Sequence, residues 1–400
     1  MGWLALLILE KGQCEGLNTG VSTEKQTPTS FLFPYILGLT AEFWGHRRHR
    51  FYFSLFMKKF LISLVMLLNL SVAGLFAQSS LIATLNHEGN ISVFYGGYAL
   101  QQAHNAAQHG DAITLSSGTF MSTNITKAIT LRGAGMDVDT LNNVKPTVIS
   151  GDFTIQIADS VSQKLMMEGL FSNFTITVKN TVRDARFIKS RFYNFKLDSN
   201  SSTKGYLKNC SFLHCKITNG MYFSSNGSDC SFVNSYVRLN NGSKSSLQLT
   251  NCIVRLDSDG YNLSFNMQAC SFINCIIVGH NSKYYDYLPN NASAYNCVAV
   301  NCNGNNCFKD IPNSSNQHST YEALFKEYKG TYNEGVTTFE LTDEAKTKFL
   351  GTDKTQVGIY GGNLPYDPIT TNPRITKCNV AAKSTADGKL SVDIEVKGVE

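Results

Sequence analysis

Cys210-Ser211-Phe212-Leu213-His214-Cys215-Lys216-Ile217, Cys230-Ser231-Phe232-Val233-Asn234-Ser235-Tyr236-Val237 and Cys270-Ser271-Phe272-Ile273-Asn274-Cys275-Ile276-Ile277 are three copies of one pattern. In each, the first, third, sixth and eighth residues are small or apolar, the others vary, and the fifth is a residue suited to a turn. Period-two alternation describes a strand with one buried face. The fifth residue interrupts the alternation, so each copy reads as strand, turn, strand. Segments of similar layout begin at Gly169, Ala185, Cys252 and Cys297. Their unequal spacing does not suit helical hairpins of fixed length but suits coils of short strands joined by variable turns.

Stacking these seven segments predicts an inward third column of Phe171, Phe187, Phe212, Phe232, Val254, Phe272 and Ala299. It predicts Asn173, Asn234, Asn274 and Asn301 at the turn, where asparagine tolerates left-handed backbone and its amide can bond the next rung's. Cys210, Cys230, Cys252, Cys270 and Cys297 fall in one inward column. Parallel neighbours lie about 4.8 Å apart, too far for a disulfide, so buried reduced thiols are expected. Cys302 to Cys307, read as a loop, is the expected place for one disulfide.

Hydrophobic residues are 42% of the 400 and charged residues 16%, which supports a real core and excludes a disordered chain. A net charge of +5 without a long basic run does not imply nucleic-acid binding. Met57-Lys58-Lys59, the apolar run Phe60 to Phe76 and Ala77-Gln78 form the three parts of a secretory signal, with cleavage expected after Ala77. Residues 1–56 then read as an over-long upstream extension, residues 57–77 as the signal peptide, and the mature chain has no stable membrane span. A secreted, periplasmic or outer-surface location follows as an expectation.

Tyr98 to Phe120, with Ala99-Leu100-Gln101-Gln102-Ala103 and Gly110-Asp111-Ala112-Ile113, followed by Lys127-Ala128-Ile129-Thr130-Leu131-Arg132-Gly133-Ala134-Gly135, resembles the opening of pectin-lyase-like proteins of secreted Gram-negative type. The resemblance implies an all-β, right-handed parallel β-helix (solenoid) with an N-terminal capping helix and a small C-terminal extension. The β-helix is expected over 78–310 and a C-terminal capping region over 311–368, with short helices at Tyr321 to Tyr328 and Asp343 to Phe349. A β-hairpin tail is expected over 369–400, around Ala386-Asp387-Gly388. The resemblance is specific for fold and poor for function, because that superfamily holds lyases, hydrolases, esterases, adhesins and non-catalytic proteins.

Lyases of this fold need a base and a cation that holds developing charge, and Arg186, Arg191, Lys216, Arg238 and Arg255 are outward candidates, with Asp257 and Asp259 as the paired carboxylates. That pair reads as a turn, and His214 and His280 read as structural or solvated. No catalytic set, metal site or cofactor is assigned. Arg191, Lys216 and Tyr236 share an outward seventh column with Thr175 and Ile276, and Tyr284, Tyr285 and Tyr287 crowd the segment before Cys297. Both groups are candidate carbohydrate contacts, since cations meet sugar acids and tyrosine rings stack on sugars. The expected function is glycan binding; the alternatives are a polysaccharide lyase or glycoside hydrolase, and an adhesin.

Overall fold

The computed structural model describes residues 81–397 except 141–143, 201, 203, 224–228, 241–244, 257–268, 280–287, 289–290, 303–306, 310, 312–314, 328–337, 371–373, 381–387 and 390–391. The upstream extension and signal peptide expected over 1–77 lie outside the described residues.

Two sheets run the length of the coil. The first, of 12 strands, opens with the antiparallel hairpin Ile82–His87 and Asn90–Tyr95. It continues through Ala112–Leu115, Thr130–Arg132, Met166–Glu168, Arg186–Ile188, Tyr206–Leu213, Asp229–Val233, Ser246–Thr250, Ser271–Ile273 and Ser293–Tyr295, with Thr181–Arg183 beside Tyr206–Leu213. The second, of 11 strands, runs from Gly118–Met121 through Thr147–Ser150, Leu170–Lys179, Arg191–Leu197, Lys216–Tyr222, Tyr236–Leu239, Ile253–Leu256, Ile276–Val278 and Val298–Val300 to Gln317–Ser319, with Phe153–Gln156 beside Leu170–Lys179. Successive strands in the body of the coil alternate between the sheets, and each pairs in parallel with the strand one coil further on. The protein is a right-handed parallel β-helix. Helix α1, Ala99–Ala106, packs Ala99, Leu100 and Ala103 against the first coil. Lys127 Nζ donates to the carbonyls of His104, Asn105 and Ala107, at 2.7, 2.9 and 2.6 Å, and so satisfies the end of α1 where carbonyls lack partners.

The inner column of the first sheet is Met167, Phe187, Phe212, Phe232, Leu249, Phe272 and Ala294. Phe187, Phe212 and Phe232 stack at 4.6 Å between centroids, and Phe195 meets both Phe187 and Phe212 edge-on. The predicted column therefore needs correction at three rungs. Phe171 pairs with Arg191 on the second sheet, and Val254 and Ala299 belong to that sheet's inner column with Ile217, Val237 and Ile277. Leu247-Gln248-Leu249 and Ala292-Ser293-Ala294 keep the alternation without cysteine or phenylalanine to mark it, which is why the segments beginning at Cys252 and Cys297 read out of phase.

The cysteines consequently form two columns, not one. Cys210 and Cys230 pair on the first sheet, with Leu247 and Cys270 continuing their column. Cys215, Cys252, Cys275 and Cys297 share a second column with Ser190 and Ser235, just before the second sheet's strands. There the thiols of Cys215, Cys252, Cys275 and Cys297 donate to the carbonyls of Phe187, Phe232, Leu249 and Phe272, and the Ser235 hydroxyl donates to that of Phe212. The role is to supply a donor to a buried ladder carbonyl, which either serine or cysteine can do. None of these thiols forms a disulfide and all are buried, and burial pushes Cys210 and Cys215 up to about 12. Cys302 and Cys307 are not disulfide-bonded, contrary to the sequence expectation; Cys307 is wholly buried in the main core.

The turn between the sheets is a column of left-handed residues: Gly169, Lys189, His214, Asn234, Asn251, Asn274 and Asn296. At Gly169 the φ is +67°, and a Cβ would run into Thr370. Asn173 is exposed on a strand instead, and Asn301 turns the opposite corner, where its amide donates to the Gly279 carbonyl at 2.9 Å.

The turn side chains do not ladder with one another. They hold a strap formed by residues 350–370, which runs back along the column. Asn296 Nδ2 donates to the Leu350 carbonyl, and Asn274 binds Thr352 through both amide atoms. Asn234 Nδ2 donates to the carbonyls of Ile359 and Gly361, at 2.8 and 2.7 Å. His214 meets Leu364 and Asp367, while Lys189 Nζ binds the Asp367 carboxylate and the Ile369 carbonyl. Helices α2, Tyr321–Leu324, and α3, Asp343–Lys348, precede the strap. Together they build a second apolar core on the outside of the second sheet, from Tyr236, Ile253, Ile276 and Val298 below and Leu324, Phe339, Phe349, Val357 and Ile359 above. Arg374–Val380 and Val392–Lys397 pair as a separate antiparallel hairpin.

Candidate functional site

The seventh column is real but partly covered. Arg191 pairs in register with Lys216, and Lys216 with Tyr236; the neighbour on the other side of Arg191 is Phe171, where the sequence suggested Thr175. Arg191 Nη1 lies 2.8 Å and Lys216 Nζ 3.2 Å from the two oxygens of Asp137. The Arg191 guanidinium also sits 3.9 Å from the Phe171 ring centroid, and Lys216 5.3 Å from that of Tyr366. Tyr236, by contrast, is 1% exposed and stacks on Phe339 at 5.0 Å. It anchors the C-terminal cover and offers no ring to solution.

Two residues further along the same strands, the wall opens. Phe192 pairs with Ser172 while Asn194 pairs with Thr175, so Tyr193 faces the two residues Asn173 and Phe174 across a bulge. The next rung repeats the shift, placing Thr218 and Asn219 opposite Tyr193. Bulges re-aim side chains, and here Phe174 and Tyr193 are 40% and 42% exposed in adjacent rungs. Beside them runs an amide ladder. Asn219 Nδ2 donates to Asn194 Oδ1 at 2.9 Å, Asn194 Nδ2 to Thr175 Oγ1 at 3.3 Å, and the Thr175 backbone N–H to Asp152 Oδ1 at 2.8 Å. Exposed Lys196 completes the strip, pairing in register with Thr177 and Tyr222. Nothing in period-two alternation marks this strip, because a bulge is an exception to that alternation.

The other sequence candidates scatter. Arg186 faces outward on the first sheet, away from Arg191, whereas Arg238 and Arg255 pair in register on the second. Asp257, Asp259, His280, Tyr284, Tyr285 and Tyr287 lie outside the described residues. His214 is buried in the turn column, where desolvation lowers its pKa. Among the described residues no cluster of three or more His, Cys, Asp or Glu side chains is placed to hold a metal ion. Both oxygens of Asp137, the acid beside the two cations, are engaged by them. The strip thus brings two exposed rings, amide hydrogen-bonding groups and the exposed cation Lys196 together on neighbouring strands of the second sheet. Compared with family models, with curated proteins and with solved structures, the chain finds no significant match.

Proposed function

We propose that this protein is an exported, pectin-lyase-like β-helix that binds glycans on the outer wall of its second sheet, without turning them over. The observation that carries the reading is the pair of exposed rings, Phe174 and Tyr193, set by consecutive bulges beside the Thr175–Asn194–Asn219 ladder. Sugar rings pair an apolar face with a rim of hydroxyls; aromatic side chains suit the face and amides suit the rim. Exposed Lys196 lies on the strand of Tyr193, and Arg191 with Lys216 exceeds the single carboxylate of Asp137 by one charge, which favours an acidic polymer over a neutral one.

A glycan array followed by titration calorimetry tests this directly. Phe174→Ala with Tyr193→Ala removes two exposed rings without opening the core. At roughly 0.5–1.5 kcal/mol per ring, affinity should fall between about fivefold and about 150-fold. Undiminished affinity in that double variant removes the wall as the site. Appearance of unsaturated products from acidic polysaccharides would replace binding by a lyase reaction.

A further inference from the structure

The first sheet ends at Asn90–Tyr95, and the outer edge of that strand bears no further strand among the described residues. Asn90-Ile91-Ser92-Val93-Phe94-Tyr95 carries no charge and no proline. Ile91, Val93 and Tyr95 share one face and are 59%, 44% and 51% exposed. Tyr98 follows at 60%, and Met121, at 44%, reaches this end through its backbone bond to Gly97. Five of the large hydrophobic residues exposed in the described chain therefore gather at one end of the coil. An open edge is ordinarily blunted by lysine, proline, a bulge or shortness. This six-residue strand has none of these.

We propose that two copies of this chain join here, edge to edge, through antiparallel pairing of Asn90–Tyr95 about a two-fold axis at Val93. A two-fold axis normal to a sheet makes the joined strands antiparallel and keeps each sheet face continuous. Pairs must then sum to twice the axial residue, so Val93 meets Val93, Ile91 meets Tyr95, and Ser92 meets Phe94. On the outer face these are β-branched and aromatic cross-strand pairs, the kind that stabilise sheets. No like charges meet, because the strand has none. The chain upstream is a poorer occupant. Leu81 enters on Ile82–His87, which lies between the edge strand and Ala112–Leu115, and its carbonyl accepts from Gly96 N–H. Cleavage after Ala77 would leave Gln78 to Ser80 ahead of it, too short to cover a strand of 6 residues.

Sedimentation of the exported chain over a concentration series reads the association. A reversible dimer is expected. Val93→Lys puts two cations on the axis and should weaken dimerisation at least about 100-fold. Ile91→Lys combined with Tyr95→Asp sets opposite charges across the axis and should keep a salt-sensitive dimer, while Ile91→Lys with Tyr95→Lys should not. These positions are exposed, and circular dichroism checks that each variant folds. A monomer at every concentration up to about 100 µM overturns the proposal, as does a dimer indifferent to Val93→Lys. If Val93→Lys changes protease protection of the segment before Leu81 and leaves particle mass alone, that segment is the occupant and the proposal also falls.

Discussion

Phe212 shows how much one residue carries in a stacked core. Its ring is wholly buried, lies 4.6 Å from both Phe187 and Phe232, and meets Phe195 edge-on at 5.5 Å. Phe212→Ala opens a cavity that the rungs above and below cannot close, since their backbones are tied by the strand ladder. A loss of about 3–5 kcal/mol is expected in urea unfolding. Cys252→Ser should cost far less, because serine retains a donor for the Phe232 carbonyl as Ser235 does for Phe212. This equivalence was half visible in the sequence, where serine and cysteine alternate in one column; the carbonyl that requires them was not.

At the scale of the element, the strap along the turn column is the feature that sequence reasoning missed. His214 Nε2 is 3.1 Å from the Leu364 carbonyl, and its Nδ1 accepts from Asp367 N–H at 3.4 Å, a pattern that suits the neutral ring with its proton on Nε2. Burial lowers its pKa chiefly, the Lys189 cation adds to the lowering, and the Leu364 and Asp367 contacts oppose it. The docked strap therefore prefers neutral histidine. Its contribution is complete above the unfolded value of about 6.5 and is lost as the pH falls below that toward the lowered folded pKa. Protection factors of the amides within residues 364–367, corrected for the intrinsic pH dependence of exchange, should be smaller at pH 5 than at pH 7.5. In His214→Gln that pH dependence should vanish; a histidine variant with the wild-type profile would exclude this residue as its source.

At the largest scale the described coils form a stack in which each touches its neighbours, so stability would ordinarily be a sum of rungs and their interfaces. The strap changes that arithmetic by bonding to turns from Asn296 back to Lys189. Bonded to several distant coils, it should make them unfold as one cooperative unit. Replacing Asn234 and Asn274 together with alanine should lower the melting temperature and broaden the calorimetric transition, whereas a sharp transition at lower temperature would place the cooperativity in the ladder alone. What the sequence by itself determined is the existence of the coil, its inward face and most of its rungs, because period-two burial is a local property written every second residue. The phase of the rungs lacking phenylalanine and cysteine was decided by the sheet register, which satisfies backbone bonds coil by coil and leaves no mark where leucine or alanine fills the column. Which outward residues meet solvent was decided only by tertiary structure. Tyr236 read as outward yet lies under Phe339, while Tyr193, which the alternation did not mark, stands exposed on a bulge, and the contact that buries Tyr236 joins residues more than one hundred positions apart.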